Sequence, residues 1–225
     1  MFDLPVRIPI QGAAIDGDLS MPPDARLLVI FAHGSGSSRH SPRNRAVARI
    51  LNEGQIATLL LDLLTAAEDA VDAATAQYRF DIPLLAERLL AAMAWARRAP
   101  QTQHLPVGLF GASTGAAAAL MAAARDAEHV RAVVSRGGRP DLASEALPHV
   151  KAPTLLIVGS RDEIVLGLNR QALARLRCPK RLEIVPGATH LFEEPGALER
   201  VAHLAQEWFN SWATPVRVER AERAS

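Results

Sequence analysis

The fold is decided by residues 107–120, which read VGLFGASTGAAAAL. The first four residues are apolar and predict a buried strand, while the small and apolar residues 116–124 predict a helix. Between them lies Gly111-Ala112-Ser113-Thr114-Gly115, a G-x-S-x-G turn. A turn of this kind between a strand and a helix holds its serine in a strained backbone conformation, with the hydroxyl projecting from the sheet edge. Ser113 is therefore our candidate nucleophile. The alternative is a glycine-rich turn that carries a surface serine.

Outward from this turn, apolar runs alternate with amphipathic stretches. Strands are predicted at residues 6–9, 14–19, 27–32, 57–61, 106–110, 130–135, 154–158 and 181–185. Apolar residues at helical spacing predict three helix faces, which are Ile82, Leu85, Leu89, Met93 and Ala96; Ile164, Leu168, Ala172 and Leu176; and Leu198, Val201, Ala205, Trp208, Phe209 and Trp212. Alternating strands and helices indicate an α/β fold with a mostly parallel central sheet and helices on both faces.

The candidate acid and base each follow a later predicted strand. In sheets that carry this serine turn, the acid and then the histidine come after the serine in the chain. Asp162 follows the strand predicted at 154–158, and His190 follows the strand predicted at 181–185. A serine hydroxyl needs a base within ~3 Å, and a carboxylate orients that base. The alternatives are a helix N-cap for Asp162 and a hydrogen-bonded loop histidine for His190.

A loop rich in glycine and serine follows the strand predicted at 27–32. It begins with HGSGSS at residues 33–38. In sites of this type, that loop supplies one backbone N–H to an oxyanion hole, and the residue after the nucleophile supplies the other. We assign these two donors to Ser35 and Thr114. The alternative is a flexible loop without a role in catalysis.

Basic side chains follow the strand ends on the same predicted face; they are Arg39, His40, Arg43, Arg136 and Arg139. Among them, Arg39, His40 and Arg136 form a candidate substrate rim that could attract a carboxylate or a phosphate. The alternative is an exposed rim, or arginine–carboxylate pairs that hold loops, for example with Asp141. We favour this alternative.

The composition is that of an ordinary globular protein, with 49% hydrophobic and 22% charged residues. A net charge of +1 does not indicate a nucleic-acid partner. No apolar run reaches the ~20 residues of a membrane span, and no signal-peptide pattern is evident, so we expect a cytoplasmic protein. The single cysteine, Cys178, cannot form an internal disulfide. No cluster of histidines and cysteines predicts a metal site.

Together, these motifs resemble the dienelactone-hydrolase-like branch of the α/β-hydrolase superfamily. The resemblance is carried by residues 33–36 (HGSG), 111–115 (GASTG), 135–141 (SRGGRPD), 153–159 (PTLLIVG) with Asp162, and 187–192 (GATHLF). More closely, the chain is similar to bacterial hydrolase domains that occur alone or fused to a phosphoribosyltransferase. No acidic pair precedes a Thr/Gly-rich phosphoribosyl loop here, so we expect the hydrolase alone.

The resemblance implies hydrolysis of an ester, a thioester or a lactone. True dienelactone hydrolases carry a cysteine nucleophile, so Ser113 argues against dienelactone itself as the substrate. Cys178 precedes Pro179, away from any such turn, and is a poor replacement.

We therefore predict a serine hydrolase that acts on a small acyl substrate through Ser113, His190 and Asp162, with no cofactor. Residues 1–214 are predicted to form a single α/β-hydrolase domain, and residues 215–225 a charged C-terminal tail. No long insertion separates Val134 from Thr154, so little or no lid is expected. Two alternatives stay open: an acyltransferase that uses the same residues, and a non-catalytic binding module on the same fold.

Overall fold

The structure, a computed structural model, describes residues 2–213, and the predicted tail at 215–225 lies outside the described residues. The described strands are β1 (Phe2–Ile10), β2 (Ala13–Met21), β3 (Leu28–Ala32), β4 (Ala57–Leu61), β5 (Val107–Ala112), β6 (Val130–Arg136), β7 (Thr154–Gly159) and β8 (Lys180–Val185). The described α-helices are α1 (Pro42–Glu53), α2 (Ala66–Thr75), α3 (Ile82–Ala96), α4 (Thr114–Arg125), α5 (Glu163–Arg175) and α6 (Ala197–Ala213).

The strands form one sheet in the order β1-β2-β4-β3-β5-β6-β7-β8. The pairs β1–β2 and β2–β4 are antiparallel, and every other neighbouring pair is parallel. The predicted mostly parallel sheet is therefore confirmed. Because parallel strands end at the same edge, the loops after β3, β5, β6, β7 and β8 converge there. These are the loops that carry the predicted site residues.

Helices cover both faces of the sheet. Helices α1 and α6 pack together on one face, and α3 and α4 pack together on the other. The predicted α3 face, from Ile82 to Ala96, is buried at all five positions. On α6, Val201, Ala205 and Phe209 are buried, and the other predicted residues pack against the same core. Helix α6 lies close to β5, since a Cβ at Gly108 would lie 2.8 Å from Cε1 of Phe209.

The predicted apolar face of α5 is wrong at its N-terminal half. Ile164 is 81% exposed and Leu168 is half-buried, whereas Val165, Leu166, Asn169 and Ala172 are buried. A helix has 3.6 residues per turn, so a row of residues four apart winds around it and leaves the buried face. Ala172 and Leu176, at the other end of the row, are buried as expected.

Helices α1 and α2 were not predicted, because neither has a long apolar face. Their starts nevertheless carry local signals. The Ser41 hydroxyl accepts a hydrogen bond from the backbone N–H of Asn44, and Pro42 occupies the first turn of α1. Thr65 and Glu68 form a reciprocal capping box at the start of α2. The two helices are therefore marked by their caps and not by hydrophobic periodicity.

The connection between β6 and β7 is short. Residues 137–153 form 3-10 turns at Pro140–Ala143 and Leu147–His149, and contain no α-helix or strand. No lid covers the edge of the sheet at this point. Within residues 2–213, no helix has the length and apolar character needed to cross a membrane.

Candidate active site

Ser113 occupies a strained turn between β5 and α4. Its backbone has φ 51° and ψ −121°, a conformation that residues other than glycine rarely adopt. The flanking glycines are required by close packing. A Cβ at Gly111 would lie 2.3 Å from the Ala116 Cα, and a Cβ at Gly115 would lie 2.3 Å from the Ala32 carbonyl oxygen. The four residues Ala116 to Ala119 are fully buried, so small side chains let α4 pack closely against the sheet.

The turn is tied to the end of β6. The Ser113 N–H donates to the carbonyl oxygen of Arg136 at 3.2 Å, and the Arg139 N–H donates to the Ser113 carbonyl oxygen at 3.1 Å. The strained backbone of Ser113 is thus supported by hydrogen bonds from the neighbouring strand and its following loop. Such surroundings hold a residue in a conformation that it would not adopt alone.

Asp162 and His190, predicted as acid and base, lie in direct contact. His190 Nδ1 donates to Asp162 Oδ2 at 2.6 Å, because an ionised carboxylate can only accept. Asp162 also occupies the N-cap position of α5, as the alternative interpretation required, yet its side chain makes no cap hydrogen bond. The carboxylate therefore orients the imidazole ring, and Nε2 is the ring nitrogen that remains available as a base.

The loop that carries His190 is held from several sides. The Ser160 hydroxyl accepts from the Gly187 N–H at 2.8 Å, and the Thr189 N–H donates to Glu194 Oε1 at 3.0 Å. The hydrogen bond from Thr189 lowers the pKa of the Glu194 carboxyl. Gly137, at φ 52°, lies against the loop, since a Cβ there would lie 3.1 Å from the His190 carbonyl oxygen. The position of the imidazole therefore depends on Gly137, Ser160 and Glu194, which come from three separate segments of the chain.

The two predicted oxyanion-hole residues are joined to each other. The Ser35 N–H donates to the Thr114 hydroxyl oxygen at 2.9 Å. Gly34 lies close to the nucleophile, because a Cβ there would lie 3.2 Å from the Ser113 Cβ. The loop after β3 therefore reaches the start of α4, as the sequence predicted. In this structure, however, the Ser35 N–H is already engaged by a side-chain acceptor.

His33 and Asn169 support the site, and the sequence analysis missed both roles. His33 Nδ1 donates to the Gly34 carbonyl oxygen at 2.9 Å, and Nε2 accepts from the Leu63 N–H at 3.1 Å. Burial lowers the pKa of His33 below 6.5, so the ring is neutral, and both of its nitrogens form hydrogen bonds with backbone groups. Asn169 Nδ2 donates to the Gly138 carbonyl oxygen at 2.9 Å. Such contacts join distant segments and leave no local sequence signal.

A cavity of about 250 Å³ brings the predicted residues together. Its lining includes Ser113, His190, Ser35, Arg43, Asn44 and Arg136. The hydrogen bonds of the described residues do not include one between Ser113 and His190. Such bonds are often long or poorly aligned before a substrate binds. Ser113 and His190, the predicted nucleophile and base, nevertheless line the same small cavity.

The structure separates the residues of the predicted rim. Arg39 pairs with Asp62 and lies near Asp18, and His40 contacts Arg45; Arg39 and His40 line a neighbouring cavity of about 810 Å³. Arg139 pairs with Asp141 through two hydrogen bonds, as the favoured interpretation required. Arg43 pairs with Glu193 at 3.2 Å. Of the predicted rim residues, Arg136 is the one that lines the cavity with Ser113. Its guanidinium pairs with no carboxylate among the described residues.

Other reactive groups lie elsewhere. Cys178 is half-buried after α5, and burial raises the pKa of its thiol, which disfavours the nucleophilic thiolate. Between residues 2 and 213, no group of three or more His, Cys, Asp or Glu side chains is arranged to hold a metal ion.

Comparison with known proteins shows a family and a fold that this chain shares with them. The model of the dienelactone hydrolase family matches residues 15–214. The solved structure of a dienelactone hydrolase from Anabaena variabilis is 57% identical, covers 94% of this chain and 98% of its own, and superposes with a TM-score of 0.93. A lidless α/β serine hydrolase from Xanthomonas campestris is 24% identical, covers 95% of this chain and 97% of its own, and has a TM-score of 0.75, which shows a shared fold.

Two proteins of Mycobacterium tuberculosis, from strains CDC 1551 and H37Rv, are named as phosphoribosyl transferases. Each is 56% identical to this chain over 207 residues. The match covers 92% of this chain but 46% of each relative, so the chain spans about half their length. The match to the family model, together with the mostly parallel eight-stranded sheet, places the chain in the α/β-hydrolase fold. The protein belongs to the dienelactone hydrolase family.

Proposed function

We propose that the protein is a serine hydrolase that cleaves a small ester, thioester or lactone through an acyl-enzyme intermediate. One observation carries the proposal. The strained Ser113 shares a cavity with His190, and the Nδ1 of that histidine is hydrogen-bonded to Asp162. A histidine base oriented by a carboxylate would activate the serine hydroxyl at neutral pH.

The first half of the reaction forms the acyl-enzyme. Ser113 Oγ attacks the carbonyl carbon, and its proton passes to His190 Nε2. The tetrahedral intermediate then collapses, the bond from carbon to the leaving oxygen or sulfur breaks, and His190 returns the proton to the leaving alcohol or thiol. Asp162 stabilises the imidazolium that exists between these two transfers and keeps the ring oriented.

The second half releases the acid. A water molecule loses a proton to His190 Nε2 and attacks the acyl carbon. The bond to Ser113 Oγ breaks, and His190 returns the proton to the serine. The carboxylic acid leaves, and the enzyme regains its starting protonation state.

The oxyanion would be stabilised by the backbone N–H groups of Ser35 and Thr114. The strained turn places the Thr114 N–H at the first residue of α4, where the helix dipole adds positive potential. The Ser35 N–H donates to the Thr114 hydroxyl in this structure, so the oxyanion must share or replace that acceptor. Loss of one such donor typically costs ~2.7–4 kcal/mol of transition-state stabilisation.

The cavity argues for a small substrate. About 250 Å³ lies below the usual range of ~300–1,000 Å³ for drug-sized ligands, and the short β6–β7 connection adds no lid. The acyl group is therefore expected to be short. A chain-length series of 4-nitrophenyl esters would show kcat/KM falling from acetate or butyrate to octanoate.

The direct test is a Ser113→Ala variant assayed with 4-nitrophenyl acetate and with thioester and lactone substrates. We expect a loss of ~10³-fold or more, with an unchanged thermal unfolding temperature. Ser211→Ala, on the exposed face of α6, is the matched control and should retain full activity. Full activity in the Ser113 variant would refute the assignment. Product analysis with added alcohols or amines separates hydrolysis from acyl transfer, since hydrolysis yields the free acid as the main product.

A further inference from the structure

Arg136 is a buried cation that has no charged partner among the described residues. Its exposed fraction is 7%. Its one hydrogen bond runs from Nη2 to Asn44 Oδ1 at 3.5 Å, and its Nε and Nη1 atoms are buried with no partner among the described residues. A guanidinium carries five N–H donors, so most of its hydrogen-bonding capacity is unused.

An unpaired buried charge is costly to a folded protein. Desolvation of such a group destabilises the folded state unless a counter-charge or hydrogen bonds offset it. Burial, with a smaller effect of the nearby Arg43 charge, lowers the pKa of Arg136 to about 10. The side chain therefore remains cationic at neutral pH. Unpartnered buried donors of this kind require an explanation, and a bound ligand that accepts hydrogen bonds from them provides one.

Arg136 stands beside the nucleophile. It ends β6, where its backbone pairs with Ala112 of β5, and its carbonyl oxygen accepts from the Ser113 N–H at 3.2 Å. Neighbouring strands lie ~4.8 Å apart, so the ends of β5 and β6 form adjacent parts of the cavity wall. Both side chains line the same cavity.

A second element adds positive potential to the cavity. The first turn of α1 contributes Ser41, Arg43 and Asn44 to the lining. This turn contains no acidic residue, although acidic side chains are favoured at helix N-termini. Arg43 pairs with Glu193, whose side chain is mostly exposed. The Arg43 Nε atom is buried and has no hydrogen-bond partner among the described residues. The helix dipole and the two arginines therefore all contribute positive potential to the cavity.

We propose that Arg136, together with Arg43 and the N-terminus of α1, binds an anionic oxygen group on the acyl part of the substrate. The group is a carboxylate or a phosphoryl or phosphonyl oxyanion, separated by a short chain from the carbonyl that Ser113 attacks. This proposal rests on the hydrolytic function proposed above, and it adds the charge of the substrate. A planar guanidinium can contact two oxygens of either group at once.

The test compares matched pairs of 4-nitrophenyl esters, corrected for uncatalysed release. One pair is the glutarate monoester, which carries a free carboxylate, and its neutral methyl ester. The other is the 3-phosphonopropanoate ester and its neutral dimethyl phosphonate. We expect kcat/KM of the wild type to favour an anionic member by about 10- to 100-fold, the factor that corresponds to one charged hydrogen-bonded contact. The pair with the larger ratio identifies the carboxylate or the phosphonate as the group.

Arg136→Met should bring the ratio of kcat/KM for the anionic ester to kcat/KM for its neutral partner close to one, and Arg136→Lys should restore part of this ratio. Arg139→Met is the matched control, because Arg139 is already paired with Asp141, and it should keep the preference. Thermal unfolding checks that each variant is folded. If Arg136→Met does not fold, Arg43→Met and competitive inhibition by free glutarate and by inorganic phosphate supply the same comparison.

The outcomes separate the two proposals. Ser113-dependent hydrolysis with equal rates for anionic and neutral esters, or an unchanged preference in Arg136→Met, would overturn the anion site and leave the hydrolase intact. Failure to hydrolyse any of the four esters in a Ser113-dependent manner would overturn the proposed function, and the anion site with it.

Discussion

The Asp162 carboxylate accepts a hydrogen bond from His190 Nδ1 at 2.6 Å, although Asp162 also occupies the N-cap position of helix α5. The side chain makes no hydrogen bond to the first turn of that helix. An N-cap aspartate would normally accept from a backbone N–H two or three residues on. The geometry therefore favours a role toward the imidazole over a role in helix capping.

Asp162→Asn separates these two roles. Asparagine is as good an N-cap as aspartate, so the free energy of unfolding should change by less than ~0.5 kcal/mol. The amide cannot stabilise the imidazolium or hold its tautomer, so kcat should fall by ~10³- to 10⁴-fold. Urea unfolding and ester hydrolysis measure the two effects. Retention of both kcat and stability would identify a capping residue instead, because asparagine preserves the cap.

Gly137 supports the position of His190. Its φ of 52° is left-handed, and a Cβ would lie 3.1 Å from the His190 carbonyl oxygen and 3.5 Å from His190 Cε1. Gly137→Ala should therefore lower the free energy of unfolding by about 1–2 kcal/mol. Because the imidazole must shift, kcat/KM should also fall about tenfold or more.

Gly167→Ala is the matched control for this variant. Gly167 lies within α5, where a Cβ would meet nothing within 4 Å. The substitution should stabilise the protein by about 0.4–1 kcal/mol and leave kcat/KM unchanged. Equal kinetics in the two variants would show that Gly137 does not position the histidine.

Thr114→Val tests the assignment of the Ser35 N–H to the oxyanion hole. The variant removes the hydroxyl that accepts from Ser35, so this donor lacks a partner in the free enzyme. The free energy of unfolding should fall by about 1–3 kcal/mol. The oxyanion then meets an unoccupied donor, so kcat/KM should stay the same or rise by up to about tenfold.

Thr102→Val is the comparison for this prediction. Thr102 is equally buried, and its hydroxyl donates to the Ala96 carbonyl oxygen at 2.8 Å, far from the cavity in the fold. It should lose stability without any kinetic effect. A fall in kcat of about a hundredfold in Thr114→Val would contradict the competition between hydroxyl and oxyanion and would show that the tether itself is needed.

His33 should make the stability of the protein depend on pH. Its pKa is lowered from 6.5 in the folded state because the neutral ring is buried. The unfolded chain therefore binds a proton more readily than the folded chain. The contribution of His33 to stability is complete above pH 6.5 and is lost as the pH falls toward its folded pKa.

The measurement is urea unfolding at about pH 7.5 and about pH 5 for the wild type and for His33→Gln. The variant should show the smaller loss of unfolding free energy on acidification. His104→Gln, at an exposed histidine, should behave as the wild type does. Parallel losses in the wild type and in His33→Gln would show that His33 is not the linked group.

Much of the fold follows from short segments of sequence. The central strands β3, β4, β5 and β7 are predicted to within a few residues, because strands buried on both faces are nearly continuous apolar runs. Helix α1 lacks a long apolar face, and the residues that mark its start in the sequence are Ser41 and Pro42. The face of α5 was predicted wrongly, because Ile164 and Leu168 belong to a row that winds away from the core.

The sequence by itself determined the position of Ser113, because strand, glycine-flanked turn and helix are contiguous and their sterics are local. It also placed Asp162 and His190 after the expected strands, but it did not choose between a cap and an orienting acid for Asp162. That choice depends on a contact between residues 28 positions apart in the chain. Only the tertiary structure contains such a contact.

The arginines show the same division most clearly. The sequence placed Arg39, Arg43, Arg136 and Arg139 at one edge of the sheet, but it did not determine which of them pair with carboxylates. Charge pairing is decided by which carboxylates the fold brings near, and the partner of Arg43, for example, lies 150 positions away. Folding gives Arg39, Arg43 and Arg139 carboxylate partners, and it leaves Arg136 buried beside Ser113 with no such partner in the part of the chain that the structure describes. The local pattern determined where chemistry occurs, and the long-range packing decided which cation faces it.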